Sequence, residues 1–147
     1  MAIKPNYNHM QRILILFWFA IIMSACEKEE DQNRTENNLV QNLTSGPWEI
    51  SFFVLGGIDR VKDFEGVIFS FLSNGQVEAY RGTQLLAQGL WSTRVDSGRI
   101  EVQTAFSSNP KFENLNANWY QFSVISNRIT LRKIDSVSDD YLIFVKR

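Results

Sequence analysis

The sequence predicts an all-β domain, a small antiparallel up-and-down β-barrel of about eight strands with one or two short helical turns. Apolar and polar residues alternate with a period of two along most of the chain from Trp48 onward, as in strands with one buried face. Tight turns separate these runs at a spacing of roughly twelve residues. Such short connections favour antiparallel pairing of consecutive strands, and about eight strands are enough to close a barrel.

The alternation defines each candidate strand in turn. In the first, Trp48, Ile50 and Phe52 are expected on one face of the sheet. The strands are expected over residues 48–55, 67–72, 77–79, 85–91, 100–102, 120–124, 129–131 and 141–145. The residues on the inward face of each strand would together form the core.

Turn and helix signals lie between the strands. Asn74-Gly75 is typical of a hairpin turn, because both residue types adopt positive φ angles easily. Apolar residues within 39–43 predict a short helical turn before the first strand. Asn109-Pro110 is typical of a helix start, with a capping side chain followed by proline at the first helical position. A helix over 110–115 would present Phe112 and Leu115 to one end of the barrel.

The first residues have the organisation of an export signal. Residues 13–23 form an unbroken apolar run, too short for a membrane-spanning helix but typical of a signal-peptide core. Met23-Ser24-Ala25-Cys26 follows and resembles the bacterial lipobox. This resemblance implies a signal peptide over 1–25 and a diacylglycerol on Cys26. The alternative is an uncleaved apolar segment with a chance cysteine.

A polar segment separates the lipobox from the domain. Residues 26–38 are expected to form the lipidated cysteine and a disordered acidic tether, and residues 39–147 the folded domain. Lys28 followed by Glu29-Glu30 resembles the surface-export signal of Bacteroidota lipoproteins. We therefore expect lipid anchoring in the outer membrane with exposure on the cell surface. Anchoring in the periplasmic leaflet is the alternative.

The composition argues against an enzyme. The only histidine, His9, lies in the predicted signal peptide, and the only cysteine is Cys26. The mature chain therefore lacks the residues for Ser-His-Asp or Cys-His catalysis and for zinc sites built from histidine and cysteine. An enzyme would have to use carboxylates, Tyr, Lys or Arg alone, as glycosidases with two carboxylates do. We expect no enzymatic activity.

Charge excludes a second class of function. From residue 39 onward the chain carries 11 basic and 11 acidic residues, with no basic run. Nucleic-acid binding requires a basic surface, so no nucleic-acid partner is expected. Asp59, Asp63 and Glu65 lie close together, but Arg60 and Lys62 interrupt them and favour a solvated loop over a calcium site. No metal or cofactor is expected.

Two short motifs connect the domain to a known family. Gly46-Pro47-Trp48 opens the first strand, and Gly89-Leu90-Trp91 repeats the pattern in mid-domain. The first motif resembles the Gly-x-Trp signature of lipocalins, and the order of motifs resembles the compact lipocalin-like domains of Bacteroidota lipoproteins. The resemblance implies a barrel with a tryptophan closing one end. The domain is shorter than a full lipocalin and lacks its usual disulfide, so the resemblance supports the fold more than ligand transport.

Aromatic residues are the candidate binding residues. An apolar cavity lined by aromatic rings suits a small apolar ligand, whereas the same rings packed together form a filled core, which we favour. The residues concerned are Trp48, Trp91, Trp119, Phe52, Phe69, Phe71 and Phe122. The expected function is that of a cell-envelope lipoprotein that binds a small apolar ligand, if the barrel accepts one. The alternative is a non-enzymatic interaction or structural module, a filled barrel whose outer face or loops bind an envelope protein or glycan.

One further modification site is expected in a loop. Asp135-Ser136-Val137 resembles the acceptor sequence for O-glycosylation in Bacteroidota, with Ser136 as the modified residue. The expected partners are thus the membrane, through the N-terminal lipid, and either a small apolar ligand or an envelope protein or glycan. The sequence does not identify a protein partner.

Overall fold

The computed structural model describes residues 35–107, 109–133 and 139–147, and the backbone but not the side chain of Phe122. Its helices are α1 (35–44), a 3-10 helix (Val61–Phe64) and α2 (Pro110–Glu113). Its strands are β1 (Trp48–Leu55), β2 (Ile58–Asp59), β3 (Ile68–Phe71), β4 (Gln76–Arg81), β5 (Gln84–Asp96), β6 (Arg99–Phe106), β7 (Asn118–Ile125), β8 (Arg128–Lys133) and β9 (Tyr141–Lys146).

The strands form one closed antiparallel barrel. Strands β3 to β9 follow each other in sequence order, and β1 lies between β3 and β9 and pairs with both. Strand β2 is a two-residue extension of the β1 hairpin, so eight strands make up the wall. The predicted fold class is confirmed. The closure between β1 and β9 runs from the pair Trp48 and Lys146 to the pair Val54 and Tyr141.

Short helices cover both ends of the barrel. Helix α1 precedes β1 and buries Leu39 and Leu43 at the end where β1 begins. It includes residues 35–38, which the sequence analysis assigned to the tether. The 3-10 helix and α2 lie at the opposite end, where their rings of Phe64 and Phe112 meet with centroids 5.5 Å apart.

The sequence signals for α2 are present in the structure. The side chain of Asn109 accepts a hydrogen bond from the backbone N–H of Lys111 at 3.1 Å, as expected for an N-cap. The helix ends at Glu113, two residues earlier than predicted. Phe112 and Leu115 are nevertheless both buried, as expected.

The inward face of β1 differs from the prediction. A β-bulge interrupts the pairing with β9 between Ile50 and Phe52, so the alternation shifts by one residue. Trp48, Ile50 and Phe53 are buried, whereas Phe52 is 42% exposed on the outside of the barrel. The prediction that Phe52 lines the interior is therefore wrong, because a bulge reverses the face of every residue that follows it.

A side chain completes the sheet where β6 extends past β7. Beyond Gln103, strand β6 has no partner residue in β7. The carboxamide of Asn116 takes the place of that strand: its Oδ1 accepts from the Phe106 N–H at 2.6 Å, and its Nδ2 donates to the Phe106 carbonyl at 2.8 Å. The backbone N–H and C=O of Phe106 are therefore satisfied within the chain.

Replacing Asn116 by alanine is expected to lower the free energy of unfolding by about 1–2 kcal/mol, because both Phe106 backbone groups lose their partner. Urea denaturation measures the change. Asn116→Asp keeps the acceptor for the Phe106 N–H but loses the donor, so it should fall between the wild type and Asn116→Ala. A wild-type midpoint in Asn116→Ala would show that water replaces the carboxamide without cost.

Candidate functional site

The three tryptophans of the domain are fixed inside the barrel by their ring N–H groups. Trp48 donates to the carbonyl of Leu43 at 2.8 Å, and Trp119 donates to the carbonyl of Leu115 at 3.0 Å. Both acceptors lie at the end of a helical segment, so each ring ties one end cap to the wall. The ring N–H of Trp91 donates to the carbonyl of Leu72, which directly follows β3, at 3.0 Å.

Phenylalanine rings fill the space between the tryptophans. The ring of Phe69 packs against those of Phe64, Phe106, Phe112 and Phe144, with centroids 5.6 to 6.3 Å apart. These distances and the tilted or edge-to-face angles are the ones that aromatic pairs prefer. The rings therefore form one continuous cluster through the barrel rather than the wall of an open cavity.

The remaining internal cavity is very small. It has a volume of about 10 Å³ and lies between Leu43, Phe69, Leu115 and Trp119. A single water molecule needs about 10–15 Å³, and small-molecule pockets begin near 300 Å³. Among the described side chains, the interior leaves no room for an organic ligand.

The structure brings most of the predicted aromatic residues together. Trp48, Trp91, Trp119, Phe69 and Phe71 are all buried on the inward face. Phe52 lies outside for the reason given above, and the side chain of Phe122 is not described. The predictions for lipidation of Cys26 and O-glycosylation of Ser136 concern positions outside the described residues.

The outer face carries an apolar patch that the sequence analysis did not predict. We define the seam patch as the outward side chains where β1 and β9 close the barrel, which are Phe52, Val54, Tyr141, Ile143 and Val145. Phe52 lies directly opposite Ile143, and Val54 opposite Tyr141. A strand with one face in water normally alternates apolar and polar residues, whereas residues 52–55 of β1 and 141–145 of β9 are apolar on both faces. The seam patch is therefore the part of the wall that most resembles a covered surface.

Charged and polar residues surround the seam patch. Arg132 and Arg128 on β8 lie opposite Tyr141 and Val145. On the other side, Glu49 forms an ion pair with Arg147 at 3.3 Å. An apolar centre with a polar rim is the usual anatomy of a protein–protein interface.

A row of paired polar side chains crosses the wall next to the patch. Arg94, Glu101, Tyr120, Arg132 and Tyr141 occupy successive positions from β5 to β9. The electrostatic interaction with Tyr120 and Tyr141 raises the pKa of Arg132, and the hydrogen bond to Glu101 raises the pKa of Arg94. Within this row, Arg94 is ion-paired with Glu101, and the guanidinium of Arg132 lies over the ring of Tyr141, as in other cross-strand pairs.

Two open grooves lie elsewhere on the surface. One, of about 340 Å³, crosses the outside of β5 and β6 at Leu90, which is 62% exposed, and Ala105. The other, of about 330 Å³, lies between α1 and β7 and is lined by neutral side chains such as those of Asn38 and Asn42. The Oε1 of Gln121 in this second groove is buried and has no hydrogen-bond partner among the described residues. Because that oxygen is shielded from solvent, it offers no contact to a molecule in the groove.

The acidic residues of the described segments do not converge. No group of three or more His, Cys, Asp or Glu side chains in these segments is placed to hold a metal ion. The two buried acids have separate partners: Glu101 pairs with Arg94, and Asp140 accepts from the Gly56 N–H at 2.7 Å. Asp59 caps the N–H of Val61 at 2.9 Å. Each of these three carboxylates therefore contacts a group of the barrel or its loops.

Comparisons of the chain with protein-family models, with curated proteins and with solved structures found no match. Within the described residues, no helix has the length and apolar character required to span a membrane.

Proposed function

We propose that this chain is a cell-envelope lipoprotein with a lipocalin-like barrel that acts as a non-enzymatic interaction module. Its outer face, rather than its interior, binds a partner. The observation that carries the proposal is the internal cavity of about 10 Å³, which has no space for the small apolar ligand that a lipocalin-like barrel would otherwise accept. Binding must therefore use the surface.

The seam patch supports a protein as the partner. Its centre is formed by Phe52 and the branched side chains of Ile143 and Val54. Such a surface gains free energy when it is removed from water by another apolar surface, at about 25 cal/mol per Å². A glycan would need polar groups for its hydroxyls, and the centre of the seam patch has none besides the Tyr141 hydroxyl. We therefore favour an envelope protein over a glycan.

The N-terminal motifs support lipid anchoring. With a lipid on Cys26, eight residues, 27–34, connect the anchor to the described part of α1. A segment of that length spans at most about 30 Å when fully extended. The barrel would then stay close to the membrane surface, where an envelope protein is its natural class of partner.

Replacing Phe52 by serine should abolish the contact with the partner. In cells treated with formaldehyde, the wild-type chain is expected to give a cross-linked adduct that Phe52→Ser no longer forms. Leu85→Ser is the matched control, because Leu85 is 43% exposed and Phe52 is 42% exposed, and Leu85 lies outside the seam patch. Equal adducts in both variants would contradict the proposal, as would saturable quenching of tryptophan fluorescence by oleate in the wild-type chain.

Replacing Cys26 by serine is expected to abolish metabolic labelling of the chain with palmitate. The thiol is the atom that receives the lipid in chains with this motif, and serine keeps the size but removes the sulfur. Ser24→Thr is a control that alters the motif while keeping the cysteine. Labelling that persists in Cys26→Ser would contradict lipid anchoring without affecting the interaction proposed for the seam patch.

A further inference from the structure

Strand β5 is longer than the strand beside it. It runs from Gln84 to Asp96, but its pairing with β4 ends at Leu90. The last contact on that side is the hydrogen bond from the Trp91 N–H to the Gly75 carbonyl at 2.8 Å. In the described part of the chain, residues 92–96 pair only with β6. This segment of β5 therefore has an open strand edge.

The hairpin turn fixes which backbone groups occupy this edge. Ser97 and Gly98 both have positive φ angles, +50° and +78°, as in a two-residue type I′ turn. The flanking residues Asp96 and Arg99 then form a hydrogen-bonded pair, and the direction of the backbone groups alternates along β5. The N–H and C=O groups of Thr93 and Val95 consequently point away from β6. No described residue bonds to them.

The two edges of the β5–β6 hairpin differ in whether a side chain hydrogen-bonds to backbone groups that lack a neighbouring strand. On the β6 side, the carboxamide of Asn116 satisfies Phe106 where β7 is missing. On the β5 side, no side chain performs this role for Thr93 or Val95 among the described residues. Unpaired strand edges are templates for pairing with another strand, and closed barrels normally remove them.

We propose that the open edge of β5 pairs antiparallel with the same edge of a second copy of this chain, about a two-fold axis at Val95. In this register Arg94 lies directly opposite Asp96 of the second copy, and the reverse pair forms on the other side of the axis. Both side chains are half exposed, at 53% each, lie on the same face, and form an ion pair with each other at 3.7 Å within one chain, so that in the dimer their four charges would alternate in sign. The edge is thus complementary to itself in charge, and opposite charges in directly facing positions stabilise a strand pair.

Neighbouring registers are less favourable. An axis at Arg94 would place two guanidinium groups directly opposite each other, which is destabilising. An axis at Thr93 would place Val95 opposite residue 91 of the second copy, whose N–H already donates to Gly75. The axis at Val95 needs only the N–H and C=O groups of Val95 in each copy, which form two hydrogen bonds between the copies. Because the turn at Ser97-Gly98 leads away toward β6, it leaves the axis at Val95 clear. The inference rests on sheet geometry and charge, and does not depend on the function proposed above.

A cysteine at the axis tests the pairing directly. In an antiparallel hydrogen-bonded pair the two Cα atoms are about 5.5 Å apart, within the range that a disulfide can bridge. The full chain carrying Val95→Cys, oxidised in the intact cell envelope, is expected to form a disulfide-linked dimer of the chain. Gln84→Cys is the matched control, since it is exposed on the same strand but in the part already paired with β4. We expect about tenfold more dimer from Val95→Cys, because a held pair gives the thiols a millimolar effective concentration.

Two further variants test the same pairing without a disulfide, and their circular dichroism spectra check that the fold is retained, since Val95 also packs against the core. Val95→Pro removes an N–H that points away from β6, so the internal ladder is retained while the central hydrogen bonds between copies are lost. Asp96→Arg places like charges opposite each other. The purified wild-type chain is expected to sediment with the mass of two chains, and both variants with the mass of one and an unchanged circular dichroism spectrum.

Three results would overturn the proposal. The first is a wild-type chain that sediments as a monomer. The second is Val95→Cys cross-linking no more than Gln84→Cys. The third is Val95→Cys linked to a different protein, which would identify a foreign strand as the occupant of this edge. The wild-type chain, with Cys26 as its only cysteine, controls for links through that residue.

Discussion

Replacing Phe69 by alanine is expected to lower the free energy of unfolding by about 3–5 kcal/mol, the usual cost of truncating a buried phenylalanine. Phe69 is fully buried, and its ring packs against four other phenylalanine rings, including those of Phe64 and Phe144. The residual cavity of about 10 Å³ beside it shows that the neighbours are already close-packed. The barrel wall is held by its hydrogen bonds, so it has little freedom to collapse into the space that the ring leaves.

Phe52 is the matched control for this experiment. Phe52→Ala removes the same atoms from a side chain that is 42% exposed on the outer wall, so its loss should stay within about 1 kcal/mol. Both variants are compared with the wild type by urea denaturation. Equal losses would mean that Phe52 faces inward and that the bulge in β1 is absent. An undestabilised Phe69→Ala variant would mean that the ring cluster does not form the core.

The bulge in β1 decides which residues face inward, and this could not be predicted from the sequence of the strand. The alternation in β3, β4 and β8 predicts their inward residues, including Phe69 and Phe71, because the extra residues of the irregular pairings lie on the neighbouring strands β5 and β7. The pattern of β1 is Trp-Glu-Ile-Ser-Phe-Phe-Val-Leu, in which either of two adjacent phenylalanines fits the buried face. Only the pairing with β9 decides between them, and that pairing joins residues about ninety positions apart. The apolar–polar alternation within β1 therefore cannot show which of the two phenylalanines is buried.

The aromatic residues favour a filled interior, but an open cavity stays the alternative when the sequence is considered by itself. The sequence indicates that Trp48, Trp91 and Trp119 occur on inward faces, but the free volume depends on every side chain and on how deeply the end caps enter. In the structure, Leu43 and Leu115 from the two helical caps reach the same small cavity. Their carbonyls also hold the rings of Trp48 and Trp119. These contacts follow from the placement of the caps, which spacing along the chain does not reveal.

The seam patch has a weak signal in the sequence, whereas the open edge of β5 has none. Residues 52–55 and 141–145 are unbroken apolar runs, which are typical of strands covered on both faces. Strand β5 is thirteen residues long, whereas β4 has six, so a part of β5 must extend past its neighbour. The prediction ended β5 at Trp91, because the alternation weakens in the polar residues that follow. The exposed edge lies in that polar part.

Replacing Gly89 by alanine is expected to cost up to about 3 kcal/mol of folding free energy, because overpacking in a fixed sheet is strongly destabilising. A Cβ atom at this position would lie 2.7 Å from the Ala105 carbonyl oxygen and 3.0 Å from the Phe106 ring. The obstacle is the backbone of the paired strand, which cannot move without breaking the β5–β6 ladder. The glycine of this Gly-x-Trp motif is therefore required for the close approach of two strands beside the buried Trp91.

Gly46→Ala separates this explanation from a general need for glycine before tryptophan. A Cβ atom at Gly46 meets only the Lys146 side chain, with its Cε at 3.0 Å, and this side chain can shift by a few tenths of an ångström while its ammonium keeps the hydrogen bond to Ser45. We expect a change within about 0.5 kcal/mol, as for an ordinary surface substitution. Thermal or urea unfolding of both variants gives the comparison. Similar losses of folding free energy would mean that both Gly-x-Trp motifs act through a shared feature of their tryptophans. If only Gly89→Ala is destabilised, the glycine of the second motif is a steric requirement for pairing β5 with β6. The likeness of the two motifs then arises from packing rather than from a common role.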